Sequence, residues 1–268
     1  MGLSDFLQRD EPGTNIADQS AIVARYQHLR SVTRNLSQRL VERLSKDALD
    51  EGGKKLGFLR GGTFVFDSAD ETSILMDYCM YDVRRKGRNA VEQYLIDSAP
   101  DPASDEMACL RAMQRAVYSL FVVESAIRGF GVNARNAISN EPLVIVDIGF
   151  GSSAKPGLVL ASRLFFHEGF AMTGGAALPI GMPPENERQS LVKMLVQAAA
   201  PDDKGHFDPA PLIRACLQHG GSSQIQYQES TGQLAGPRPA PRSIRSERGN
   251  FPCPCGSGRK FKNCCMKR

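Results

Sequence analysis

The sequence predicts an α+β protein, and three observations carry that prediction. Apolar residues recur at helical spacing through roughly the first 116 positions. They alternate with period two from about 117 to 180, then return to helical spacing between 184 and 219. The body, residues 1–220, is therefore read as helical over 15–116, β-rich over 117–180 and helical again over 184–219. A Pro-, Gly-, Ser- and Arg-rich linker follows over 221–250, and a cysteine-rich unit occupies 251–268.

The first helix is expected over 18–50, where Ile22, Tyr26, Leu29, Leu36, Leu40 and Leu44 form one stripe with Arg and Glu between them. Such a stripe is a core face in the ordinary case and a dimer seam in the rarer one. The glycine pairs in "EGGKK" and "RGGTFVF" punctuate the chain, with a short strand expected over Thr63–Phe66. "SADE" at 68–71 fits a capping box, whose Ser hydroxyl and Glu carboxylate satisfy free N–H groups at a helix start. A helix should run from there to about Val83, with others near 88–98 and 104–116.

The period then changes. "SLFVVES", the alternation at Phe130, Val132 and Ala134, and the looser ones at 144–150, 158–166 and 170–172 mark about five short antiparallel strands. Their natural architecture is a small antiparallel β-meander or barrel. "GFGSSAKPG" at 149–157 is read as a hairpin connection rather than a phosphate loop, because it lies between alternating strands and carries Pro156. Helices return at about 185–199 and 209–218.

Composition bounds the function. Hydrophobic content of 41% and charged content of 23% suit a globular chain with a buried core. No stretch approaches the roughly 20 apolar residues that span a bilayer. "MGLSDFLQRDEPG" has early acids and no apolar region, so no secretory signal is read there, and Phe6 stands where a myristoylation signal wants Ser or Thr. The expected location is cytoplasmic, where thiols stay reduced and clustered cysteines bind metal. Net charge of +4 is unevenly spread. From Thr231 onward nine Lys/Arg face one acid, Glu247; the remaining 24 bases and 28 acids leave residues 1–230 at −4. An acidic body carries a basic tail, which either attracts anionic partners or keeps a solvated linker soluble.

Four of the seven cysteines, Cys253, Cys255, Cys264 and Cys265, fall within thirteen positions. A Cys-x-Cys pair sets two sulfurs on one side of a turn that Gly256 and Gly258 permit, and the adjacent Cys264 and Cys265 can close a tetrahedron around zinc. Eight residues between the pairs make no apolar core, so metal is expected to supply the folding energy. The run Cys253-Pro-Cys255-Gly256-Ser257-Gly258, then Arg259-Lys260, Phe261, Lys262-Asn263-Cys264 and Cys265, resembles the SEC-C motif. That motif is the zinc-binding C-terminal segment of SecA-type translocase ATPases. The resemblance covers about 18 residues and implies one structural Zn²⁺ per chain, held by Cys253, Cys255, Cys264 and Cys265. It also implies a recognition role, toward a chaperone- or ribosome-like protein partner. The body shows no translocase feature: a GxxxxGK[ST] phosphate loop is nowhere in the chain.

Other candidates yield little chemistry. His28, His167, His206 and His219 are scattered, and His167-Glu168 is read as a polar strand turn. Cys79, Cys109 and Cys216 fall among apolar neighbours and are read as buried. In "DYCMYD" helical spacing pairs Tyr78 with Asp82 and Asp77 with Tyr81, a tyrosine–carboxylate arrangement. No catalytic residue is readable. The favoured function is a zinc-binding, non-enzymatic adaptor or interaction protein that uses its basic tail on a protein or ribosomal partner, with nucleic acid a further candidate. The alternative is an enzyme with its site in the barrel region and the zinc tail as a targeting module. The strands show no exposed aromatics interleaved with Lys/Arg, as single-strand binders use.

Overall fold

The computed structural model describes residues 16–199, 201, 207–220 and, near the C-terminus, 253, 257, 259, 260, 263 and 264. A long helix α1, Ile16–Arg43, leads into α2, Lys46–Leu56. The single helix expected over 18–50 is therefore two. Ser45 adopts an extended backbone and accepts the Ala48 amide at 3.2 Å, starting a new helix. The Gly52-Gly53 pair is a further correction, because it lies inside α2 instead of ending a helix. A Cβ on Gly52 would collide with the Cys79 sulfur and one on Gly53 with the Phe64 ring. Only glycine lets α2 pack this closely.

A hairpin follows, β1 (Leu59–Arg60) and β2 (Thr63–Phe64), turned by Gly61 and Gly62 with φ of 55° and 78°. Helix α3, Ala69–Tyr81, starts at the expected cap: Ser68 Oγ accepts the Glu71 amide, and the Glu71 carboxylate accepts the Asp67 amide at 2.6 Å. Helix α4, Ala90–Ser98, carries a complete capping box from Asn89 and Glu92, and α5, Asp105–Gln114, starts at Ser104.

Five strands then close a barrel: β3 (Val117–Ile127), β4 (Gly131–Asn136), β5 (Pro142–Val146), β6 (Val159–His167) and β7 (Phe170–Thr173). Their order is β3-β4-β5-β7-β6, with β6 returning to β3 through six residue pairs from Val117↔Leu164 to Val122↔Val159. A short β8, Leu178–Gly181, extends the sheet beside β6. The expected barrel is present, but it is not purely antiparallel, since β5 and β7 pair in parallel through Ile145↔Ala171. The cause lies at 147–153. Asp147 accepts the Phe150 amide at 3.1 Å and starts a short helix α6, Ile148–Ser153, where alternation had suggested more strand and a hairpin. This crossover carries the chain across the barrel end, giving the strand order and helix position of an OB-type Greek-key barrel. Phe150 is 2% exposed and plugs that end.

Two apolar clusters divide the strands. Phe121, Val123, Val132, Ala134, Ile145, Leu160 and Leu164 fill the barrel. Tyr118, Leu120, Val159, Ala161, Phe165, Phe170 and Met172 point the other way and join the main core with α1, α3 and α5. Strand β6 is buried on both faces, which is why its sequence reads as a nearly continuous apolar run. Helices α7 (Glu185–Ala198) and α8 (Ala210–His219) lie where expected, and α8 packs on β8 and α2.

Candidate functional site

Two groupings of polar chemistry stand out, one at each end of the argument from sequence. In the cysteine-rich unit the Cys253 amide donates to the Arg259 carbonyl at 2.7 Å, which holds the ends of the Cys-Pro-Cys-Gly-Ser-Gly stretch together. The Arg259 amide donates to Ser257 Oγ at 3.4 Å, and the same hydroxyl lies 3.1 Å from Cys264 Sγ. Ser257 thereby ties the first cysteine turn to the second cysteine pair. Cys253 is 4% exposed and belongs to the main apolar cluster, against which Cys264 packs. Arg259 and Lys260 are exposed. Cys255 and Cys265 lie outside the described residues, and among the described residues no three metal-ligating side chains gather. What the described part offers zinc is soft thiol donors on a chain folded back on itself, which suits the ion.

The second grouping sits where the barrel meets the helices. Arg163 on β6 is 3% exposed and donates through Nε to Asp77 Oδ2 at 2.9 Å and through NH2 to Asp82 Oδ2. Its guanidinium lies 4.3 Å from the centre of the Tyr81 ring and 5.4 Å from that of Tyr118. Burial works against its charge, but Asp77 and Asp82 outweigh burial and hold its pKa above the ordinary value. Burial likewise raises both carboxyls against the pull of Arg163; Asp82, which also feels the charge of Asp77, is pushed up to about 6. The Tyr81 and Tyr118 hydroxyls are buried without a hydrogen-bond partner among the described residues.

This network revises the expected tyrosine–carboxylate pairs. Asp77 and Asp82 both turn to Arg163, while the Tyr78 hydroxyl donates to Asp208 Oδ1 at 2.9 Å. Asp208 also takes Lys55 at 3.2 Å and the Ala210 amide at 2.9 Å, so it joins α2, α3 and the start of α8. Sequence reasoning missed Arg163; the signal was a lone arginine inside the apolar run 158–166.

The remaining candidates are structural. Cys79, Cys109 and Cys216 are buried as expected, and burial pushes the Cys216 thiol up to about 12. His28 pairs with Asp105 at 2.7 Å, and Arg25 shares that carboxylate. His167, which the sequence places at a polar strand turn, is 7% exposed and stacks on Phe170 at 5.4 Å. Its Nε2 has no partner among the described residues, and burial, aided by the charges of Arg25 and Arg115, pushes its pKa down to about 4. His219 is exposed at the end of α8, and His206 lies outside the described residues.

Residues 250–267 match the SEC-C motif. Two relatives share a limited stretch with the chain. The protein translocase subunit SecA of Bacteroides fragilis is 29% identical over 87 residues, 32% of this chain and 8% of that protein. The SecA subunit of Maridesulfovibrio salexigens is 30% identical over 89 residues, 33% of this chain and 9% of its own length. The chain thus spans less than a tenth of the curated relatives it matches. No solved structure matches it. Among the described residues no helix is long and apolar enough to cross a membrane. The body has a family match of its own: residues 20–206 fit the model described as a family of unknown function, DUF7986, and the chain belongs to that family.

Proposed function

We propose that this is a zinc-binding adaptor in which an α+β body is joined, through the linker at 221–250, to a SEC-C module that contacts a protein or ribosomal partner. The observation that carries the reading is the SEC-C match over 250–267, which contains all four clustered cysteines. Cys253, Cys255, Cys264 and Cys265 hold one Zn²⁺ as thiolates. The ion supplies folding energy to a segment with too few apolar residues to fold alone. Ser257 Oγ beside Cys264 stabilises a thiolate there by hydrogen bonding.

Four thiolates and one Zn²⁺ sum to −2, so the loaded tail from Thr231 keeps about +6 of its formal +8. Arg259 and Lys260 stand exposed beside the cysteines and present that charge to the partner. Because the shared stretch belongs to SecA translocase subunits, the partner sought first is one of protein translocation or its ribosomal supply.

The test is a pull-down from lysate with the zinc-loaded full chain, the chain lacking 251–268, and the chain with Cys264→Ser and Cys265→Ser. Expected is a partner retained by the first and lost from both others. Retention of the same partner by the truncated chain overturns the reading.

A further inference from the structure

The turn joining α3 to α4 reads Arg84-Arg85-Lys86-Gly87-Arg88, four cations in five residues on a body that is otherwise net acidic. All five are exposed, whereas the residues on either side, Val83 and Asn89, are 2% and 8% exposed. The turn is a closed one: the Arg85 amide donates to the Arg88 carbonyl at 2.7 Å, and the Arg88 amide returns a bond to Arg85 at 3.1 Å. Lys86 and Gly87 have φ of 51° and 80°, the backbone of a two-residue hairpin turn.

Both flanks are anchored. Asn89 donates through Nδ2 to the Tyr81 carbonyl at 2.9 Å and caps α4 with Glu92. Arg84 holds the Glu92 carboxylate with bonds of 2.9 and 2.8 Å and donates Nε to the Gly87 carbonyl at 3.1 Å. Arg85 pairs with Glu51 of α2 at 3.2 Å. These two arginines are spent on fixing the turn. The Lys86 and Arg88 side chains have no hydrogen-bond or ion-pair partner among the described residues, so the fixed tip presents two uncompensated cations.

We propose that this tip is a contact site for the phosphate backbone of a nucleic acid, with Lys86 and Arg88 each neutralising one phosphate and Arg84 and Arg85 positioning them. The chemistry favours phosphate over other anionic partners. The buried cores of protein interfaces are depleted of charged residues, and amphipathic segments on membranes bind through an inserted apolar face. The large apolar residues flanking the tip in sequence, Tyr81, Val83 and Val91, are only 6%, 2% and 0% exposed, leaving charge as its principal offering. Backbone phosphate contacts need nothing else and carry no sequence information. The tip lies on the body, so the reading is independent of the cysteine unit and of zinc.

The probes are a 20-base-pair RNA duplex, a DNA duplex of the same sequence, and polyglutamate, each titrated with full-length protein by anisotropy from 50 to 500 mM salt. The variant is Lys86→Gly with Arg88→Ala; glycine suits the backbone at 86, so the turn is kept, and a thermal melt confirms the fold. Expected is a salt slope shallower by about 1.8 on the DNA duplex, or roughly 60-fold weaker binding near 0.1 M scaled from 1 M, with a similar loss on the RNA duplex. Changing Arg259 and Lys260 to alanine instead should leave the tip's share of the slope in place. An unchanged slope in the tip variant overturns the proposal, as does wild-type protein that binds neither duplex at 50 mM salt. A loss on polyglutamate as large as that on the duplexes assigns the tip to acidic protein faces and overturns it too.

Discussion

Arg163 Nε lies 2.9 Å from Asp77 Oδ2, an ion pair between the barrel and α3 whose side chains are only 4% and 7% exposed. It joins the two halves of the body with a charge-assisted bond that water does not reach. Removing one member of such a pair leaves its partners charged and unsolvated. Arg163→Met should therefore destabilise the body by about 3–5 kcal/mol, read as a lower urea midpoint. A loss below about 1 kcal/mol would mean that the carboxylates find other partners or take up protons without cost.

The third member of the network predicts a pH dependence. Asp82 titrates near 6 in the fold, against about 3.9 unfolded. The folded state therefore binds the extra proton between those values. Its contribution to stability is complete below about pH 4 and is lost as pH rises through 6. His167 acts in the opposite sense: its folded pKa near 4 favours the fold at higher pH, and that contribution fades as pH falls toward 4. The two slopes overlap, so the difference between wild type and Asp82→Asn isolates Asp82. That difference should change by about 2–3 kcal/mol from pH 4 to pH 7, on the scale of 1.36 kcal/mol per unit. A flat difference would show that Asp82 does not hold its proton in the fold.

Much of the architecture was legible because local signals and tertiary packing agree. The cap at Ser68, the helix from about 104 and the stripe at Leu29, Leu36 and Leu40 all appear where the sequence put them. The failures share a cause, which is contact with something distant in sequence. Gly52 and Gly53 look like breakers until Cys79 and Phe64 are seen against them. Residues 148–150 alternate like strand, yet Asp147 turns them into a helix, and Asp147 is itself held by Thr173 at 2.8 Å. The Arg163 network joins residues 81 and 86 positions apart, which no local period reveals. The SEC-C motif was legible because it rests on residue spacing within one short segment, and residues 250–267 match it.

That spacing leads to a prediction on zinc itself. Protein purified without added metal should contain close to one Zn²⁺ per chain by elemental analysis, and Cys253→Ser or Cys264→Ser should each lower it markedly. Ser257→Ala should retain the ion but release it faster to a chelator, on the order of 10-fold, as loss of a bond to a ligand typically does. Zinc near zero in reduced, folded wild-type protein would remove the metal from the account.

The last prediction concerns Lys86, which stands at φ +51° at the first central position of its turn. Asn, Asp and Gly suit that backbone, whereas a longer L side chain is strained there by about 1 kcal/mol or more. Arg84 and Arg85 hold the turn shut through Glu92 and Glu51, so the strain is not relieved by a change of shape. Lys86→Gly should then stabilise the body by up to about 1 kcal/mol, reduced by the greater freedom of glycine when unfolded. The melting temperature should rise by about 2–4 °C for a chain of this size. Lys86→Asn avoids the glycine entropy and should raise it at least as far. A fall in melting temperature for both variants would show that the lysine side chain stabilises the fold rather than straining its turn.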